Sequence, residues 1–138
     1  MSSEEDLQNA VLAIHARLGT IEGKLNLLAR AERNEILGAL EQAFVADPLL
    51  SQIYLLLDGK RSQKEVHESL LADGIKPSQP TVSRRMDVLV VEYGVADDVR
   101  RGVLRKNKAA EDVLSLSRKC RRWLEQAGET VPSGGSKK

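Results

Sequence analysis

The stretch SQPTVSRRMDVL, Ser78 to Leu89, decides how the chain is read. Ser78 can cap a helix, its hydroxyl accepting a hydrogen bond from a free first-turn amide. At about 100° per residue, Val82, Met86 and Leu89 then fall on one side, with Tyr93 further along. Arg84 lies almost opposite, flanked by Thr81 and Ser83, with Gln79 in the first turn. Such a helix keeps an apolar back and projects hydrogen-bonding side chains forward. Arginine can bond guanine O6 and N7 with two parallel hydrogen bonds, and glutamine can do the same at adenine. Arg85, set to one side, better suits a phosphate. A solvated face with an incidental Arg-Arg pair fits the same residues, so the surroundings have to decide.

Those surroundings are helical on the N-terminal side. Ser62 and Glu65 form an S-x-x-E capping box opening a helix with Val66 and Leu70 inward. Asp73-Gly74 breaks it, and Ile75 plugs the turn. An earlier helix has Asp47 as cap and Pro48 in its first turn, where the missing N–H costs nothing. It buries Leu49, Ile53, Leu56 and Leu57 and stops at Asp58-Gly59. A helix before that reads through Ile36, Leu40 and Phe44.

After Tyr93-Gly94 the pattern changes to VADDV and VLRK, two β-compatible runs separated by Arg100-Arg101-Gly102, which predicts a hairpin. From Asn107 a last helix carries Val113, Leu116, Cys120, Trp123 and Ala127 on one stripe and ends at Gly128. In it RKCRRW places Arg118, Lys119, Arg121 and Arg122 late, where the helix dipole favours cations. Arg100 and Arg101 at the hairpin tip suit a minor groove or flanking phosphates. Lys76 and Arg105 suit phosphates too; Lys106 and Lys108 are weaker candidates.

The order helix–helix–turn–helix–hairpin, together with ADPLLSQIYLLLDGKRSQKEV, SQPTVSRRMDVL and GVADDVRRGVLRK, resembles the winged helix-turn-helix transcriptional regulators of the ArsR/MarR-like kind. The resemblance covers Glu35 to Lys106. It implies a double-stranded DNA partner, with Gln79, Thr81, Ser83, Arg84 and Arg85 on the recognition helix and Lys76, Arg100, Arg101 and Arg105 around it. The metal sensors of that superfamily carry paired cysteines and His/Asp clusters. Here Cys120, His15 and His67 stand singly, so no metal or other cofactor is expected. No nucleophile–base set, phosphate loop or paired catalytic carboxylate stands out, and no enzyme activity is expected.

At the N-terminal end, Leu7, Val11, Ile14, Leu18, Ile21, Leu25 and Leu28 alternate spacings of four and three. That heptad seam asks for a partner helix. With Val11, Leu18 and Leu25 at a positions, Arg17 meets Glu22 of a parallel second copy, so a homodimer is expected, with the strand number open. A helix lying on its own domain is the other reading.

The expected fold class is mainly α with a small β-hairpin wing, in four parts. Residues 1–33 form a coiled-coil dimerisation helix, 34–107 the winged helix-turn-helix, 108–128 a C-terminal helix and 129–138 a flexible tail. The net charge of +1 hides an asymmetry: residues 1–50 carry four basic and eight acidic side chains, residues 76–108 eight basic and four acidic. No apolar run is long enough for a membrane span, and the acidic start is unlike a signal peptide. The single cysteine fits a reducing cytoplasm. Two function classes follow: a dimeric, sequence-specific DNA-binding regulator, or an assembly or adaptor protein using the same parts to bind protein.

Overall fold

The computed structural model describes residues 3–133. Its elements are mainly helical with one small antiparallel sheet, and its contacts divide into two units, residues 1–37 and 38–138.

Helix α1 runs Ser3–Ala46 without interruption. The sequence predicts two helices here, with a boundary near residue 33. The single helix has a simple cause: ARAERNEIL, residues 29–37, is largely strong helix formers with no proline or glycine. Glu4, Glu5 and Asp6 sit in the first turn, where the dipole favours acids. All seven seam residues, Leu7 to Leu28, are exposed, between 43 and 65 %.

The core of the second unit begins with Leu40 and Phe44, both buried. Ile36, expected beside them, is instead 52 % exposed. Steps of four residues drift by about 40° each, so Ile36 lies roughly 80° around the helix from Phe44. Helix α2, Pro48–Leu56, follows after the single residue Asp47. It buries Leu50, Ile53, Tyr54 and Leu56, together with Ser51 and Gln52, and Leu57 just beyond is buried as well. Leu49, expected inside, is half-buried and Leu50 takes its place. A helix covered on nearly all sides is a core helix; α2 is packed by the later helices.

The next element was not expected. Asp58–Ser62 is a strand, β1, that starts where the helix was predicted to end. Asp58 Oδ1 accepts hydrogen bonds from the amides of Lys60 and Arg61, both at 2.9 Å. Gly59 takes a left-handed φ of 77°, and a Cβ there would lie 3.4 Å from that of Arg105. Helix α3, Gln63–Ala72, has the predicted capping box complete and buries Val66 and Leu70. Gly74 reverses the chain at φ 82°, and the Ile75 amide donates to Leu70 O at 2.9 Å.

Helix α4, Gln79–Asp87, is capped by Ser78 and continues through a π-helical turn, Val88–Glu92. Strands β2, Ala96–Arg100, and β3, Val103–Lys106, form the predicted hairpin. The sheet order is β1-β3-β2, so the hairpin has a third strand on the β3 side.

The C-terminal helix is broken in two: α5, Lys108–Asp112, and α6, Leu116–Ala127. Ser115 adopts φ 51° at the break, and Glu111 Oε2 accepts from the Ser117 amide at 3.0 Å. Val113 and Ala127, expected on the apolar stripe, are exposed. Leu116, Cys120, Trp123 and Leu124 are buried. Phe44 packs edge-on against both Tyr93 and Trp123, at 5.9 Å between centroids.

The segment after α6 was expected to be a free tail. Residues 129–133 are instead tied down. Gln52 Nε2 donates to Thr130 O at 2.9 Å, and Asp73 accepts from the Ser133 amide and hydroxyl. Residues 134–138 of that expected tail lie outside the described residues.

Candidate nucleic-acid interface

Helix α4 is fixed at its start and along its back. Ser78 Oγ accepts from the Thr81 amide at 3.2 Å and lies 2.8 Å from Thr81 Oγ1. Pro80 sits in the first turn, where its missing N–H leaves nothing unsatisfied. Val82, Met86 and Leu89 are buried, as their spacing predicts. The loop before the helix is held by His67 Nε2 against Pro77 O at 2.9 Å.

The opposite side carries the candidate reading residues. Arg84 and Gln79 are exposed; Thr81 and Ser83 are half-buried at the flanks. Arg84 Nη2 reaches Thr81 Oγ1 at 3.5 Å, a weak contact that leaves most of its donors free. Lys76 is exposed in the preceding loop. Arg100 ends β2 and Arg101 occupies the turn with Gly102, both exposed. Among the described residues, Lys76, Arg84, Arg100 and Arg101 form no ion pair.

The other two expected phosphate partners, Arg85 and Arg105, differ in their surroundings. Arg85 is engaged by Asp47, Nε to Oδ2 at 2.5 Å, with both side chains about one-third exposed. Arg105 sits at the centre of a cross-strand row, opposite Asp58 on β1 and Asp97 on β2. Arg105 itself is exposed and forms no ion pair among the described residues; the two carboxylates bond elsewhere, Asp58 to Arg61 and Asp97 to Asn107. Lys106 is half-buried. Its Nζ donates to Leu55 O at 3.3 Å and lies over the Tyr54 ring, and burial holds the ammonium below its usual range.

The tie between Asp47 and Arg85 escaped sequence reasoning because it joins residues 38 apart. The sequence predicts Asp47 as a helix cap, but its side chain makes no cap hydrogen bond. Cys120 is buried, with its thiol pushed up to about 12 chiefly by desolvation, which suits inert packing. Among the described residues no three His, Cys, Asp or Glu side chains are grouped to hold a metal ion. No described helix is long and apolar enough to cross a membrane. Compared with known proteins, the chain matches no family model, no curated protein and no solved structure.

Proposed function

We propose that residues 34–107 are a winged helix-turn-helix that binds double-stranded DNA by sequence, and that the protein acts as a homodimeric transcriptional regulator. The observation that carries this reading is the position of Arg84. It is exposed on a short capped helix, opposite the buried Val82–Met86–Leu89 face, and has no ionic partner among the described residues. A recognition helix needs that division, with its front in a major groove and its back on the core. Arg84 then reads a base edge, Gln79, Thr81 and Ser83 line the groove, and Arg100 and Arg101 hold backbone or minor groove. The exposed seam from Leu7 to Leu28 supports the dimer, with Arg17 facing Glu22 of the second copy.

The test is binding of wild type and Arg84→Ala to a preferred duplex, selected from the source genome, and to its single-base variants. Loss of one bidentate contact costs about 1–3 kcal/mol on the preferred site and relaxes preference at one base pair per half-site. An equal effect on every variant, or none, removes Arg84 from the reading role.

One observation favours the adaptor reading. A groove of about 200 Å³ runs between the end of α4 and the hairpin, walled by Met86, Val90, Val91 and Leu104 and flanked by Asp87 and Asp98. Its acids would repel phosphate, Gln63 adds a polar group, and the exposed Val91 at its edge would give a protein side chain an apolar contact. A salt-insensitive complex with a protein partner, lost on Val91→Asp, would favour that reading.

A further inference from the structure

The sequence predicts that the cations of RKCRRW fall late in a helix, stabilised by its negative end. The structure removes that explanation. Helix α6 begins at Leu116, so Arg118 and Lys119 lie in its first turn. There the dipole is positive and disfavours cations by about 0.3–1 kcal/mol each at an exposed site.

No ion pair offsets this among the described residues. The first turn of α6 has no acidic residue, and none of Arg118, Lys119, Arg121 and Arg122 forms an ion pair among the described residues. The Glu111 carboxylate, at the helix start, is already taken by the Tyr54 hydroxyl and the Ser117 amide. Glu125, the acid of α6 itself, makes no ion pair with Arg121 or Arg122. Arg121 also lies near enough to Lys106 to add like-charge repulsion to the effect of burial on that ammonium. Arg118, Arg121 and Arg122 are exposed, on the side away from Leu116, Cys120, Trp123 and Leu124, and Lys119 is half-buried at the edge.

We infer that the outer face of α6, with Arg118, Arg121 and Arg122 as its centre, grips a nucleic-acid phosphate backbone separately from α4. Guanidinium groups are always charged and match phosphate oxygens in pairs. From Arg118 to Arg122 the helix rises about 6 Å, comparable to two phosphates of one strand at about 3.4 Å each along the DNA axis. An anionic membrane is the poorer fit, because surface-lying helices insert an apolar face and that of α6 is buried in the core. The choice of nucleic acid over an acidic protein rests on the reading of α4 given above. Contact through backbone alone carries no base preference. The phosphates can belong to a flanking stretch of the duplex held by α4 or to a second duplex.

The experiment compares full-length wild type with the triple variant Arg118→Gln, Arg121→Gln, Arg122→Gln. Glutamine keeps helix propensity and removes the charge, and circular dichroism checks the fold. Each protein is titrated at several salt concentrations with a duplex covering only the α4 site and with one several turns longer. If the phosphates lie on the same duplex, the variant binds the longer one more weakly and its salt slope falls by about 2–3, at about 0.9 per lost contact. If they lie on a second duplex, the variant loses the ability to hold two differently labelled short duplexes together. Either result supports the inference, and preference among base variants stays unchanged in both. Unchanged slope with unchanged pairing overturns it. So does unchanged duplex binding with lost binding to phosphatidylserine vesicles. Arg84→Ala, run in parallel, separates the two readings. If it spares base preference while the triple variant flattens the slope, the α4 reading fails and the α6 surface stands; the converse pattern removes α6 alone.

Discussion

Asp47 and Arg85 form an ion pair that joins the residue between α1 and α2 to the flank of α4. Of two consecutive arginines on the candidate reading helix, one is therefore held by the protein and its neighbour is free. Replacing Asp47 with asparagine should release Arg85 at little cost, about 0.2–1 kcal/mol for a partly exposed pair. The freed guanidinium would then meet DNA phosphate, raising non-specific affinity and steepening the salt slope by about 1. Fluorescence anisotropy across a salt series measures this. A slope identical to wild type would show that Arg85 stays away from the duplex even when unpaired.

The exposed seam of α1 predicts self-association. Changing both Ile14 and Leu18 to lysine places charges in two consecutive layers of the seam, where apolar side chains are required. Light scattering should show an oligomer for wild type and a monomer for the double variant, with the melting of residues 38–138 little altered. A wild-type monomer at micromolar concentration would remove the coiled-coil reading. If the double variant keeps the wild-type mass, the interface lies elsewhere.

Tyr54 and Glu111 predict a stability effect at the core. The phenol is buried and donates to the Glu111 carboxylate at 2.5 Å, and burial together with that bond pushes its titration above the usual range. Tyr54→Phe keeps the ring but leaves the carboxylate short of a donor, a loss of about 1.5–3 kcal/mol for a bond to a charged group. Chemical denaturation reads it. A change under the experimental error would mean that water replaces the hydroxyl without loss.

Asp58 predicts the acid behaviour of β1. Burial alone would raise its pKa, but the amides of Arg61 and Lys60 and the Arg61 guanidinium together hold the carboxyl below its usual range. A carboxylate with a lowered folded pKa stabilises the protein above its unfolded pKa of about 3.9, and that stability is lost as pH falls through the folded value. Asp58→Asn should therefore lower the melting temperature near neutrality, flatten its drop below about pH 4 and meet the wild-type value in acid. An unchanged acid limb would assign that drop to other carboxylates.

The capping serines made much of the fold legible. Ser62 with Glu65, and Ser78 before an apolar stripe, announce α3 and α4 through local chemistry, and the structure has both caps. Gly102 between two β-compatible runs announces the hairpin. Strand β1 gave no such signal, since DGKRS is polar throughout and becomes a strand by pairing with β3. The break before α6 was equally silent. It turns on Ser115, a non-glycine residue at positive φ, and on the bond that the Glu111 carboxylate accepts across it from the Ser117 amide. In the candidate interface, Arg84 was readable from helical spacing alone. The tie that holds Arg85 was not, because Asp47 lies 38 residues away.

Strand β3 has neighbours on both edges, whereas β1 and β2 each have one. A two-stranded ribbon on its own is marginal in water, so the third strand gives the hairpin a fixed root. Opening then has an order. Amides of β3 should exchange with solvent more slowly than those facing outward from β2, and the turn at Arg101-Gly102 should exchange fastest. Motion of the tip can therefore occur without release of the root, giving the two arginines there local freedom to adapt to what they touch while the strand behind them stays in register.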